Sequence, residues 1–189
     1  MTRAKVTTLL MLLCAWLPPS AGATQRGGAA SRAAPDKVSV RVRGRRSVVV
    51  TERGRAYTLD LTKHIDAARI EEASAVFLTR AGGFAYLLLD VCGLSKVPPD
   101  DRMCGAGIEC NVVWLKLDAA WRVRGAQSQR YESCWAPITL EDEMKVEGRR
   151  LTFAVEDFRE EVRREVAYDA DNPEAGLTVR QTPLPKTNP

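Results

Sequence analysis

The chain has 189 residues, with 28 lysines and arginines against 24 aspartates and glutamates, a formal net charge of +4 and a single histidine. A nucleic-acid binder carries a much larger basic surplus, so near-balance argues against nucleic acid as a partner. The length suits one domain with a real core, since a chain of this size buries roughly 70% of its unfolded surface.

Residues 1–23 have the three parts of a secretory signal. Arg3 and Lys5 precede the apolar run Val6 to Leu17, and Ala21-Gly22-Ala23 forms a small-x-small cleavage site. The run is about a dozen residues, short of the roughly 20 needed to cross a bilayer. Removal of the signal is expected to leave a protein without a transmembrane segment, periplasmic or secreted. Residues 24–36 are rich in Gly, Ala, Ser and Arg and read as a disordered lead-in.

A single β domain is expected over 37–182. Lys37 to Arg43 alternates strictly, with Val38, Val40 and Val42 on one face and Ser39, Arg41 and Arg43 on the other. Ser47 to Thr51 and Arg55 to Leu61 supply two more strands, with Gly44 and Gly54 as turn signals, making an N-terminal meander. Thr62 to Ala73 reads as a helical turn or short loop helix. Strand character returns at Ala75 to Thr79, turns at Gly82-Gly83, and continues through Phe84 to Val91, an almost continuous apolar run that marks a central strand covered on both faces. Lys96 to Arg102, with Pro98 and Pro99, reads as an exposed loop.

Cys92, Cys104, Cys110 and Cys134 are the cysteines that survive signal removal, and in an oxidising compartment an even count reads as two disulfides. Their wide spacings do not match the close pairs of a zinc site. An antiparallel hairpin of Cys110 to Leu117 with Gln127 to Trp135, centred near Arg122, places position 110 opposite 134. This favours Cys110–Cys134 and leaves Cys92–Cys104. Further on, Ile138 to Val146 and Arg150 to Val155 flank the turn Glu147-Gly148. Over 155–168, Val155, Phe158, Val162 and Val166 recur at helical spacing and Val162, Arg164, Val166 and Tyr168 at strand spacing, and the strand-like Leu177 to Gln181 beyond a turn-rich stretch favours a final hairpin with Val162 to Asp169. Residues 183–189 read as a flexible tail. The sum is an all-β fold, an antiparallel sandwich or barrel of about nine strands with two disulfides.

Catalytic signals are weak. His64 is the single histidine, and no serine stands in a Gly-x-Ser-x-Gly elbow. Gly105-Ala106-Gly107 lacks the lysine and helix of a phosphate loop. Asp169, Asp171, Asn172 and Glu174 fail the EF-hand pattern and read as a polar turn. No cofactor and no metal site is expected. Paired carboxylates remain open, and Glu109, between Gly107-Ile108 and Cys110, is the first residue to consider, with Asp90 and Glu132 nearby in sequence.

Binding signals are stronger. Arg41, Arg43, Arg45 and Arg46, with Arg53 and Arg55, offer a basic surface for an anionic glycan, a lipid headgroup or an acidic protein. Trp121, at a hairpin end, is a candidate binding aromatic although core or partial burial is favoured for it, whereas Trp114 and Trp135 read as core. The reading from sequence is an exported, non-catalytic binding or interaction protein. The alternatives are a carboxylate-dependent hydrolase working through Glu109 and a structural component of an envelope assembly.

Overall fold

Twelve antiparallel strands and almost no helix make up the described residues, 38–96 and 107–185, of a computed structural model of the chain. The signal, the lead-in, the proline loop beyond Lys96, Cys104 and the last four residues lie outside them. Strands β1 (Ser39–Arg43), β2 (Ser47–Glu52) and β3 (Arg55–Asp60) form a small meander. A second sheet of nine strands contains β4 (Arg69–Ala81), β5 (Phe84–Leu94), β6 (Ile108–Leu117), β7 (Val123–Ser133), β8 (Ile138–Leu140), β9 (Lys145–Glu147), β10 (Arg150–Asp157), β11 (Val162–Asp169) and β12 (Thr178–Pro183). Neighbours in space run β4-β5-β6-β7-β8-β10-β11-β12, and β9 pairs with β10.

Periodicity explains the layering. In β5, Ala85, Leu87, Leu89 and Val91 face one core while Tyr86 and Leu88 face another, so every position from 85 to 89 is buried. The first core closes under the small sheet, where Val48, Val50 and Leu59 meet Leu87, Leu89, Val113 and Leu115. The second closes where the large sheet folds back, bringing Leu151, Phe153, Val155, Val166 and Tyr168 over Leu88, Val112 and Trp114. Strands β5 and β6 are thus covered on both faces, as the apolar run 84–91 predicts. Each fully buried aliphatic side chain here contributes about 1.5–3 kcal/mol relative to exposure.

Turn chemistry sets the hairpins. Gly82 and Gly83 have φ of 58° and 81°, the paired positive angles of a two-residue turn whose twist matches its strands. Between β6 and β7 the turn is made by Asp118, whose Oδ1 accepts from Ala120 N and Arg122 N, each at 2.9 Å. Trp121 follows at φ 59°. Its ring is 6% exposed and stacks on Tyr57 with centroids 4.2 Å apart. Trp121 is therefore a core residue at a hairpin end, not an exposed aromatic.

The β6–β7 register also corrects the cysteine pairing. The expected centre near Arg122 is moved by the Asp118 turn and by an extra residue at Tyr131, so Cys110 faces Glu132, and Cys134 lies beyond the strand. On its other side Cys110 stands directly opposite Cys92, and these two form a disulfide with Cα atoms 4.1 Å apart. Neither Cys110–Cys134 nor Cys92–Cys104 is formed. The bridge closes a separation of 18 residues; replacing both cysteines by alanine should lower the unfolding free energy by about 3 kcal/mol, read as a lower urea midpoint.

Three element assignments also change. Thr62 to Ala68 is a turn and loop without a helix, and β4 starts at Arg69, earlier than the apolar pattern suggests. Two register shifts on β4 interrupt its alternation. The 138–146 segment divides into β8 and β9, while the Glu147-Gly148 hairpin and the final β11–β12 hairpin form as expected. Among the described residues no helix is long and apolar enough to cross a membrane.

Candidate functional site

A polar patch interrupts the first core where β6 and β7 lead away from it. On the face of β6 that carries Val113 and Leu115, the two preceding positions are Glu109 and Asn111. On β7 the same face passes from Ala126 to Ser128, Arg130 and Ser133. The extra residue at Tyr131 is what keeps both Arg130 and Ser133 on this face, the kind of re-aiming that bulges provide beside sites. Tyr131 itself turns to the opposite face, where its hydroxyl donates to Asp90 Oδ1 at 2.7 Å and lies 3.3 Å from Cys92 Sγ. Burial pushes the Asp90 carboxyl up, opposed by that hydrogen bond, and pushes the Tyr131 hydroxyl well up too.

Glu109 faces Gly93 across the ladder. A side chain at Gly93 would stand 2.1 Å from Arg69 O, so the glycine lets the 67–69 backbone close against β5. Glu109 is left 3% exposed. Its Oε1 accepts from Ser95 Oγ at 2.8 Å and from Trp135 N at 3.4 Å. Its Oε2 lies 3.4 Å from Arg130 Nε without hydrogen-bond geometry, and both atoms are buried with no hydrogen-bond partner. Arg130 Nη2 reaches Asp66, and Lys96 Nζ lies 3.6 Å from the same carboxylate. Asn111, 4% exposed, accepts from Ser128 Oγ at 3.4 Å while its Nδ2 has no partner.

Two hollows open over these groups. One of about 260 Å³ is lined by Asp66, Lys96, Glu109, Arg130 and Trp135. The other, of about 280 Å³, lies between the 62–66 turn and Asn111, Ser128 and Arg130. Asp66 and Arg130, themselves an ion pair, line both hollows, which adjoin in a shallow polar cleft. His64, on the turn, is held below the usual imidazole range chiefly by burial, with Lys63 adding to this and Asp60 opposing it. Trp135, expected in the core, is 43% exposed at the cleft. Trp121 takes the buried place favoured for it, and Trp135 departs from its core reading.

The other sequence candidates do not converge on this cleft. Asp90 and Glu132 lie on the opposite face of the sheet from Glu109, since they pair with Val112 and Cys110. Arg41 and Arg43 are exposed on the outer face of β1, and Arg43 donates to Thr58 Oγ1 at 3.1 Å. Arg45 and Arg46 sit in the β1–β2 turn, whereas Arg53 and Arg55 are at the opposite end of the strands, so the six arginines do not make one patch. In the 169–174 turn, Asp171 binds Arg149 at 2.6 Å, Asp169 binds Arg150 at 3.5 Å and Glu174 binds Lys116, leaving no common point for an ion. Among the described residues no group of three histidines, cysteines or carboxylates is gathered to hold a metal.

A wider groove of about 470 Å³ crosses β10, β11 and β12. Its Arg163 is paired with Glu141 and Glu165, and none of its lining residues carries a buried polar atom lacking a partner. Among the described residues, three of the four buried side-chain polar atoms without a hydrogen-bond partner gather instead at Glu109, Arg130 and Asn111, the fourth being the Tyr168 hydroxyl in the second core, and such groups in a folded protein call for an explanation. No protein-family model matches the chain, and no curated protein or solved structure is significantly similar to it.

Proposed function

We propose that the chain is an exported, non-catalytic binding protein whose ligand site is the cleft between Asp66, Lys96, Glu109, Arg130 and Trp135. One observation carries this reading. Glu109 and Asn111 line the cleft at 3% and 4% exposed, and each keeps a buried polar atom without a hydrogen-bond partner behind its wall. A buried polar atom left unpaired costs about 1–3 kcal/mol, which a bound ligand recovers.

Export rests on the signal pattern of residues 1–23 and on the Cys92–Cys110 disulfide, which belongs to an oxidising compartment. Cys134 is also a disulfide cysteine.

A hydrolase has less support, although Glu109 and Asp66 share the cleft. The Arg130 guanidinium reaches both carboxylates and so occupies the space where a scissile glycosidic bond would lie between two catalytic acids. The arginine-bearing meander, as a surface for an anionic glycan, lipid headgroup or acidic protein, keeps Arg41, Arg43, Arg45 and Arg46 together on β1 and its turn, with Arg53 and Arg55 at the other end, but it carries no buried polar atom lacking a partner. An envelope-assembly role has no observation in its favour.

Thermal denaturation of the purified protein against a panel of neutral oligosaccharides, uronic-acid oligosaccharides, inorganic phosphate and short acidic and basic peptides tests the reading. A class that raises the wild-type midpoint should fail to raise that of Glu109→Gln and should still raise that of the Arg41→Ala/Arg43→Ala variant. Equal stabilisation of Glu109→Gln, a panel without any stabilising compound, or release of cleaved product would each overturn it.

A further inference from the structure

We infer that the ligand of this cleft is a neutral, hydroxyl-rich saccharide, an inference that rests on the binding reading above and specifies its chemistry. Three observations converge on it.

The first is charge. Asp66 and Glu109 are matched by Lys96 and Arg130 around the same hollow. An anionic ligand entering it meets two carboxylates, and a cationic one meets a guanidinium and an ammonium. Each would be desolvated beside a like charge, which disfavours both. A neutral ligand avoids either cost.

The second is the arrangement of unused valences. Glu109 Oε2 is an acceptor and Arg130 Nε is a donor, 3.4 Å apart and both without a hydrogen-bond partner. A hydroxyl is the group that serves both, because it donates one hydrogen bond and accepts two. Asn111 Nδ2 adds a further donor on the adjoining wall. All three atoms have almost no accessible surface, so a ligand meets them only with a side-chain shift at the cleft wall; several hydroxyls on a rigid frame then pair both the acceptor and the donors, whereas a carboxylate or phosphate offers acceptors alone.

The third is Trp135. Its side chain is 43% exposed, but its backbone is tied at both polar groups, with N donating to Glu109 Oε1 at 3.4 Å and O accepting from Arg159 Nη2 at 3.2 Å. The indole is therefore a large apolar surface held at the cleft by the same carboxylate that presents the free acceptor. Aromatic side chains combine apolar area with low conformational cost, and the C–H face of a pyranose ring is the complement to such a surface beside a polar wall.

Isothermal titration with neutral tetrasaccharides of glucose, mannose and N-acetylglucosamine, beside tetragalacturonate, tests this. At least one neutral tetrasaccharide should bind, with a dissociation constant unchanged within about twofold between roughly 50 and 500 mM salt, because no net charge is there to be screened. Trp135→Ala should weaken it by about tenfold or more, roughly 1.4 kcal/mol, and Trp135→Phe should recover most of the loss. Glu109→Gln should weaken it as well, and both variants keep the backbone contacts of the fold. Binding of tetragalacturonate alone, a steep salt dependence, or an unaltered affinity in Trp135→Ala would overturn the assignment. If no saccharide binds while a peptide or phosphate stabilises the wild type and not Glu109→Gln, the saccharide class fails and the cleft reading stands. If neutral saccharides bind Glu109→Gln as tightly as wild type, the cleft reading itself fails.

Discussion

Replacing Trp121 by alanine should lower the unfolding free energy by about 3–5 kcal/mol. The residue sits where three requirements meet. Its backbone closes the β6–β7 turn by donating from Trp121 N to Asp118 O at 2.9 Å, its φ of 59° is unusual for a bulky side chain, and its ring is 6% exposed in the core beneath the small sheet. The stack on Tyr57, centroids 4.2 Å apart and planes 6° from parallel, joins β3 to that turn and so holds the small sheet to the large one. Truncation removes the ring and leaves a cavity between the layers. Glycine at the same position relaxes the backbone, so Trp121→Gly should be no less stable than Trp121→Ala, the reverse of the usual order in strands. Urea denaturation followed by circular dichroism reads both variants. A loss below about 1 kcal/mol for Trp121→Ala would show that the stack does not hold the layers together.

Asp157→Ala should cost about 2–4 kcal/mol, because it removes the buried partner of Arg164, which keeps only its pair with the exposed Glu160, and leaves two turn N–H groups without their acceptor. Asp157 is 4% exposed and Arg164 9%. Asp157 Oδ2 accepts from Arg164 Nη1 at 2.9 Å, and its Oδ1 accepts from Arg159 N and Glu160 N, each at 3.1 Å. One carboxylate thus organises the whole β10–β11 turn. Burial pushes its pKa up, but the hydrogen bonds from Glu160 N, Arg164 and Arg159 N outweigh burial and hold it below the ordinary aspartate range. With the folded value depressed, the stabilisation is present above the unfolded value of about 3.9 and is lost as pH falls through the folded one. Stability of the wild type should therefore drop below about pH 4, and Asp157→Asn should start lower and show a shallower drop. An unchanged acid limb in Asp157→Asn would remove Asp157 as its source.

Much of the fold was readable because period-2 alternation survives wherever one face is buried. Val38, Val40 and Val42 alternate with Ser39, Arg41 and Arg43, and the unbroken run at 84–91 marks the strand buried on both faces. Beyond these segments the signal fades for physical reasons. The start of β4, Arg69-Ile-Glu-Glu, is mostly exposed and carries a register shift, so Ile70 alone announces it. Cysteine pairing depended on a register that the Asp118 turn and the extra residue at Tyr131 both displaced. Trp135 is exposed instead of buried because it lies past the end of β7, where burial follows turn geometry that alternation does not encode.

Within the cleft, Glu109 was legible from its position beside Cys110. Its partners were not. Arg130 meets it through the β6–β7 ladder, and Asp66 through a loop 43 positions earlier that the β4–β5 hairpin folds back. The one signal that bears on them is a run of polar residues, Ser128 to Ser133, opposite the apolar face of β6, which is an unusual lining for a core-facing strand. The Asp66–Arg130 pair becomes visible only once the two elements are placed.

The most direct measurement is a nitrogen-15 NMR titration of the protein with a neutral tetrasaccharide, following the Asn111 side-chain amide, the Arg130 Nε–H and the Trp135 indole N–H. These resonances should shift together and saturate with one dissociation constant, while those of Arg41, Arg43, Arg45 and Arg46 and of the β10–β12 groove stay in place. Shifts confined to the arginines or to that groove, with Asn111, Arg130 and Trp135 unmoved, would contradict the assignment of the cleft as the binding site.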